Sequence, residues 1–176
     1  RVLVHNECTL PIMVNRSYNI PAWVDKHTLV IASSYSGGTE ETLSAFSQCE
    51  ERKCPTLIIS TGGEITEIAR DKNYDVVSLP KGLQPRAALG YSFYSLLLVL
   101  QKTGLLSDEI PKMVENCLPE IEALSEELIQ SKNEALTMAE KIHNTIPFVY
   151  GSEDLTWVAA LRFRGQLAEN AKMLST

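Results

Sequence analysis

Apolar and polar positions alternate along the first hundred residues in blocks that predict strands and helices in turn. Three mostly apolar runs predict strands at residues 28–32, 56–59 and 75–79, of which the first two are expected to be buried. Each run precedes a helical pattern, at residues 39–52, at residues 64–71, and then in a long apolar helix ending near Thr103-Gly104. Right-handed crossovers put such helices on the faces of a parallel sheet. The pattern therefore predicts a three-layer α/β/α domain, with function expected in the loops after the strands.

From Ser107 to Asn144 an acidic, helical pattern replaces the strands. Pro111 and Pro119 are expected to start or kink these helices. Apolar residues recur at helical spacing on one face, with the glutamates mostly elsewhere. The apolar positions are Ile121, Leu124, Leu128, Ala135, Met138 and Ile142. We interpret this segment as a helical connector with a solvated acidic face.

After Pro147 the strand-and-helix pattern begins again. Phe148-Val149-Tyr150 predicts a strand, Gly151-Ser152 a turn, and the residues from Leu155 to about Ala168 a helix. One strand and one helix bury too little apolar surface for a core of their own. The predicted organisation has three parts: an α/β domain at 1–104, a helical connector at 105–146, and the beginning of a second domain at 147–176.

Composition and charge exclude several classes of protein. The 176 residues are 44% hydrophobic, which excludes a disordered or fibrous chain. The 22 acidic and 16 basic side chains give a net charge of −6, which argues against nucleic-acid or anionic-membrane binding. The richest apolar stretch, near residues 91–100, is shorter than the roughly 20 residues that span a bilayer.

The cysteines and the beginning of the chain favour a cytoplasmic protein. The four cysteines form no CxxC pair and accompany no histidine cluster, so no metal is expected. Free, mostly buried thiols are typical of the reducing cytosol. No signal-peptide pattern precedes the first residue, Arg1.

The most distinctive loop joins the first predicted strand to its helix and reads Ser33-Ser34-Tyr35-Ser36-Gly37-Gly38-Thr39-Glu40-Glu41-Thr42. A helix start offers unpaired amides and a positive dipole end, and hydroxyls and glycines let a backbone wrap an anion. The loop has neither the lysine of a Walker A motif nor the GxGxxG pattern of a dinucleotide site. A helix capped by Thr39 would explain the same residues. The physics favours a phosphate site only slightly over a plain cap.

The loop resembles the phosphosugar-binding loop of sugar isomerase (SIS) domains, although Gly38 stands where asparagine is common. Three further segments are similar to the bifunctional phosphoglucose/phosphomannose isomerase family: Pro21-Ala22-Trp23-Val24, the PRAALG residues 85–90, and the QLAEN residues 166–170. The resemblance covers residues 18–103 and 147–172. It implies two flavodoxin-like SIS domains in tandem, an active site between them, and a homodimer.

The resemblance also implies roles for individual residues. Arg86 would lie over the sugar carbons, and Glu169 would be the catalytic base. A base can carry a proton between neighbouring carbons through a cis-enediol intermediate, and a fixed guanidinium stabilises the charge that develops there. The implied phosphate site consists of hydroxyl residues and their supporting loops: Ser34, Ser36 and Thr39, with Gly37, Gly38 and Pro85.

The implied reaction interconverts glucose 6-phosphate or mannose 6-phosphate with fructose 6-phosphate and uses neither a metal nor another cofactor. A non-catalytic phosphosugar-binding module is the alternative, but it would have no need for Arg86 and Glu169. The family opens the sugar ring with a histidine in an HNE-type motif, and His5, His27 and His143 match no family position. The first strand and Gly-rich loop of the family are also missing. We therefore expect a fragment that is inactive by itself.

Overall fold

The computed structural model describes residues 2–153 and 156–176 and divides the chain into two compact units. We call Leu10–Leu106 the sheet unit, and Arg1–Thr9 together with Ser107–Thr176 the helical unit. The finer division at residues 104 and 146 stays a prediction of the sequence.

A parallel sheet forms the centre of the sheet unit. Its strands lie in the order β1 (Val30–Ser33), β2 (Thr56–Ser60) and β3 (Asp75–Ser78). Val30 pairs with Thr56, and Leu57 pairs with Asp75. The central strand is buried on both faces, because successive side chains point to opposite sides and Ile58 and Ile59 are both 0% exposed. The three predicted strands are therefore confirmed, although β1 and β3 are only partly buried.

Helices follow each strand of the sheet: α1 (Glu40–Glu51), α2 (Gly63–Asp71), and, after a 3-10 turn at Pro85–Ala87, α3 (Leu89–Lys102). Phe46 of α1 and Ile65 of α2 pack with Ile58 in one core cluster. The ring of Phe46 meets that of Tyr74 edge-on, with centroids 5.5 Å apart. Parallel strands alternating with packed helices confirm the predicted α/β class.

Within the sheet unit, residues 10–29 contain no helix or strand, yet the C-terminal end of α1 holds them in place. The guanidinium of Arg52 donates to the carbonyls of Pro21 and Val24 at 2.7 and 2.9 Å. Val24 is buried in a cluster with Cys49 and Cys54. Val24 therefore belongs to the core of the sheet unit, whereas Trp23 beside it is 60% exposed.

Short helices build the described part of the helical unit: α4 (Glu109–Asn116), α5 (Leu118–Leu128), α6 (Glu134–Ile142) and α7 (Trp157–Gln166). Pro111 and Pro119 lie in the first turns of α4 and α5, where a missing amide breaks no helical hydrogen bond, as predicted. Asn133 caps α6, because its side chain accepts the amide of Leu136 at 2.8 Å. The segment predicted as helical is therefore helical.

The apolar stripe of the connector lies open to solvent in this chain. Ile121, Leu124 and Met138 each expose more than half of their surface.

Across residues 2–153 and 156–176, no helix combines the length and the hydropathy that crossing a membrane requires.

The strand predicted at Phe148-Val149-Tyr150 is wrong. These residues lie outside any helix or strand. The amide of Val149 donates to the carbonyl of Thr176 at 2.7 Å, and the amide of Thr176 donates to Pro147 at 3.1 Å. A strand needs a continued ladder with a neighbouring strand, and the described part of the helical unit supplies none. Without a neighbouring strand, the β-propensity of these three residues does not produce a strand.

The cysteine thiols differ in burial, and we therefore expect them to differ in reactivity. Cys49 and Cys54 are 2% and 3% exposed, and Cys117 is exposed. Burial, aided by the neighbouring Cys54, raises the pKa of Cys49 from 9.0 to about 11. Because the thiolate is the reactive form, Cys49 should resist alkylation at neutral pH.

We expect iodoacetamide at pH 8 to modify Cys117 well before Cys49, as measured by peptide mass spectrometry. Modification of both at one rate in the folded protein would contradict this burial.

The raised pKa of Cys49 also predicts a contribution to the free energy of unfolding that is complete below pH 9. That contribution is lost as the pH rises towards 11, because the unfolded chain releases the proton first. Urea titrations of wild type and Cys49→Ala across this range would measure the difference.

Candidate functional site

Three loops leave the carboxyl ends of β1, β2 and β3 at one edge of the sheet. They comprise residues 34–39, 61–62 and 79–84. Parallel α/β sheets bind ligands at this edge, because the helices that follow begin there with unpaired amides. We call residues 34–39 the serine loop.

Ser34 organises the serine loop from within. Its side chain is buried, and its Oγ accepts the amide of Gly37 at 3.1 Å. The same Oγ lies 2.9 Å from Oγ1 of Thr39. Ser36 is exposed, and its Oγ accepts the amide of Gly38 at 3.3 Å. Each serine therefore holds a glycine amide of the loop, and the structure brings the three predicted hydroxyl residues together.

Thr39 stands at the N-cap position of α1 but does not cap the helix with its side chain. Its backbone is extended, with φ −70° and ψ 117°, and its hydroxyl pairs with Ser34. No cap hydrogen bond from this side chain is found among the described residues. The first amides of α1 are therefore left as donors at the positive end of the helix dipole. The plain-cap interpretation lacks the hydrogen bond that would define it.

The loop after β2 clamps the serine loop. The amide and Oγ1 of Thr61 donate to the carbonyl of Tyr35 at 3.1 and 2.7 Å. The amide of Ile65 donates to the carbonyl of Gly37 at 3.0 Å. A Cβ on Gly37, whose φ is +74°, would overlap the carbonyl oxygen of Gly62. Sequence reasoning placed no site residue in this second loop, although the adjacent glycines at 62 and 63 signalled a close backbone approach.

Charges around these loops are mixed. Glu40 and Glu41 occupy the first turn of α1, and the hydroxyl of Tyr18 donates to Glu40 at 3.1 Å. That hydrogen bond raises the pKa of Tyr18. Lys81 supplies positive charge beside a cavity of about 290 Å³ at the ends of β2 and β3. Oriented amides and hydroxyls, rather than an excess of cations, are therefore what the serine loop offers to an anion.

Arg86 lies in the 3-10 turn Pro85–Ala87, between the loop after β3 and α3. Pro85 is at the first position of this turn, where its fixed φ suits the conformation. The amide of Ala87 closes the turn on the carbonyl of Gln84 at 2.8 Å. Arg86 is half-buried, and the short 3-10 turn restricts the backbone that carries its side chain.

Glu169 belongs to the helical unit. It lies in a π-helical turn, Leu167–Ala171, that directly follows α7. The predicted helix end near Ala168 therefore falls within this wider turn, and its predicted start at Leu155 lies outside the described residues. Lys172 ends the turn at a φ of +56° and donates from Nζ to the carbonyl of Glu169 at 2.7 Å. Single π-helical turns occur frequently at functional sites.

The donor groups described here do not form a metal-binding set. Within residues 2–153 and 156–176, no group of three or more histidine, cysteine, aspartate or glutamate side chains could hold a metal ion. The hydroxyls of the serine loop and the amides of α1 are instead suited to the oxygens of an anion.

Comparisons with known proteins point to sugar-phosphate isomerases. A family described as bacterial phospho-glucose isomerase C-terminal SIS domain matches residues 131–176. A bifunctional phosphoglucose/phosphomannose isomerase from Caldicellulosiruptor bescii is 45% identical over 98% of this chain and 52% of its own length. A protein of the same name from Aquifex aeolicus is 36% identical over 97% of this chain and 50% of its own length.

A relative with a different printed activity is also similar. A D-glucosamine-6-phosphate 4-epimerase from Sulfolobus acidocaldarius is 34% identical over 89% of this chain and 48% of its own length. The chain thus spans about half the length of the curated relatives described here.

Proposed function

We infer from the 45% identity to a bifunctional phosphoglucose/phosphomannose isomerase that the whole protein interconverts glucose 6-phosphate or mannose 6-phosphate with fructose 6-phosphate. The observation that carries the proposal is the serine loop, in which Thr39 pairs with Ser34 and leaves the first amides of α1 as donors. A sugar phosphate supplies the oxygens that such donors bind.

The phosphate is bound by groups of the sheet unit. The hydroxyls of Ser36 and Thr39 and the first amides of α1 donate to its oxygens. Ser34 is buried, and it holds the glycine amide and the threonine hydroxyl that shape the loop. Gly37 and Gly38 keep the backbone close to the anion, and Pro85 stiffens the turn that carries Arg86.

The chemistry transfers protons between C1 and C2 of the open-chain sugar. The carboxylate of Glu169 removes the proton from C2 of the aldose, which gives a cis-enediolate. The same carboxylate returns the proton to C1, while the proton of O2 moves to O1 and C2 becomes the carbonyl of the ketose. The guanidinium of Arg86 stabilises the negative charge on oxygen as it develops.

The direct test is conversion of each hexose 6-phosphate by the whole protein, followed by NMR. Formation of fructose 6-phosphate from both aldoses supports the proposal. Binding without conversion would instead favour a phosphosugar-binding module without catalysis.

The epimerase relative provides a second candidate, inversion at C4 of an amino sugar phosphate. The higher identity to a bifunctional isomerase, 45% against 34%, favours the reaction at C1 and C2. Incubation of the protein with glucosamine 6-phosphate distinguishes the two, because epimerisation gives galactosamine 6-phosphate. Product from that sugar alone would replace the isomerase proposal.

We expect Ser36→Ala to weaken fructose 6-phosphate binding by at least about tenfold, because one hydrogen bond to a charged oxygen is lost. Isothermal titration calorimetry measures this change. Ser47→Ala is the matched control, since Ser47 is exposed on α1 outside the serine loop. Equal affinity of the Ser36 variant and wild type would mean that the loop is merely a helix start.

Other features of the whole protein stay predictions. These are a cytoplasmic location, a homodimer and the absence of nucleic-acid partners. The resemblance also implies a histidine that opens the sugar ring. We assign that role to no residue of this chain, because His5, His27 and His143 match no family position.

A further inference from the structure

The side chain of Tyr35 joins two loops at the carboxyl edge of the sheet. Tyr35 stands between Ser34 and Ser36 in the serine loop. Its hydroxyl donates to the carbonyl of Pro80 at 2.9 Å and accepts the amide of Leu83 at 3.1 Å. Both partners belong to the loop after β3, more than 40 residues further along the chain. One oxygen atom therefore connects the serine loop to the segment that leads into the 3-10 turn of Arg86.

The backbone of Tyr35 is itself firmly held. Its carbonyl accepts two hydrogen bonds from Thr61, one from the amide at 3.1 Å and one from Oγ1 at 2.7 Å. Two residues later, the carbonyl of Gly37 accepts the amide of Ile65 at 3.0 Å. The phenol thus extends from a backbone tied to the loop after β2, so that it can act as a rigid link.

The other end of the link lies close to Arg86. Leu83 precedes the 3-10 turn Pro85–Ala87 by one residue, Gln84, whose carbonyl closes that turn. Gly82, next to Leu83, has a φ of +96° and nothing within 4 Å of the place of a Cβ. This stretch therefore has little packing of its own, and the hydrogen bond from Leu83 to Tyr35 restrains it directly before the arginine.

We propose that Tyr35 is a positioning residue that sets the distance between the bound phosphate and the guanidinium of Arg86. This inference rests on the proposed isomerase function. The substrate is held by its phosphate at one end and reacts at the other, so alignment depends on how rigidly the two protein groups are connected. The hydroxyl of Tyr35 is engaged by the backbone of Pro80 and Leu83, and its effect is therefore expected on turnover rather than on affinity.

The test is Tyr35→Phe in the whole protein, a change that keeps the ring and removes the hydroxyl. We expect kcat to fall about 10- to 100-fold, as for a misplaced catalytic group. KM for fructose 6-phosphate and the inhibition constant of inorganic phosphate should stay within about twofold of wild type. Hydrogen exchange of the Leu83 amide, followed by NMR, should become faster. Tyr150→Phe is the control, because the side chain of Tyr150 is 88% exposed.

Two results would overturn the proposal. One is an unchanged kcat with unchanged protection of the Leu83 amide, and the other is a raised KM with an unchanged kcat, which would make Tyr35 a binding residue. If wild type converts no hexose phosphate, the proposed function fails separately. In that case, faster Leu83 exchange with unchanged phosphate affinity still supports the link between the loops, and unchanged exchange refutes it.

Discussion

Replacing Glu169 by glutamine is expected to lower isomerase turnover about 10²- to 10⁴-fold, the usual contribution of a positioned general base. Glutamine keeps the size of the side chain but cannot accept a proton from carbon. Binding of fructose 6-phosphate should persist, because the proposed phosphate contacts come from the serine loop. Steady-state kinetics measures kcat, and calorimetry measures the affinity. In D₂O, wild type should exchange hydrogen at C1 of fructose 6-phosphate, and the variant should not.

Glu127→Gln is the matched control, because Glu127 is an exposed glutamate on α5 of the same unit. It should leave kcat and affinity unchanged. Full turnover in the Glu169 variant would show that another residue is the base. Loss of affinity together with turnover would indicate that Glu169 supports the fold of the π-helical turn rather than the proton transfer.

Gly37→Ala is expected to lower the free energy of unfolding by about 2–5 kcal/mol, the combined cost of a left-handed alanine and of an overpacked contact. Gly37 has a φ of +74°, and its new Cβ would overlap the carbonyl oxygen of Gly62. Relief of that overlap must move the serine loop away from the loop after β2. Phosphate affinity should therefore fall along with stability. Urea denaturation and calorimetry with inorganic phosphate measure the two effects.

The neighbouring glycine offers a strict comparison. A Cβ on Gly38 would meet nothing within 4 Å, so Gly38→Ala should change stability by less than about 0.5 kcal/mol. Equally small effects of the two substitutions would mean that the serine loop can shift at little cost in free energy. The clamp between the two loops would then not be what shapes the proposed phosphate site.

The sheet could be predicted because its signal is local. The apolar run at residues 56–59 is continuous, and the central strand of a parallel sheet has no solvated face to interrupt it. Hydroxyl and glycine residues between a strand and a helix likewise indicated where an anion would bind. The same local reasoning failed at Phe148-Val149-Tyr150, since a strand exists only with a partner.

The sequence by itself determined the α/β class, the place of the serine loop, and the residue types that we propose to bind phosphate and to transfer a proton. Only the tertiary structure decided how those residues are used. Thr39 pairs with Ser34 instead of capping α1, and Tyr35 reaches a loop more than 40 residues away. Periodicity records which face of an element is buried, but a hydrogen bond between loops depends on the packing that brings them together.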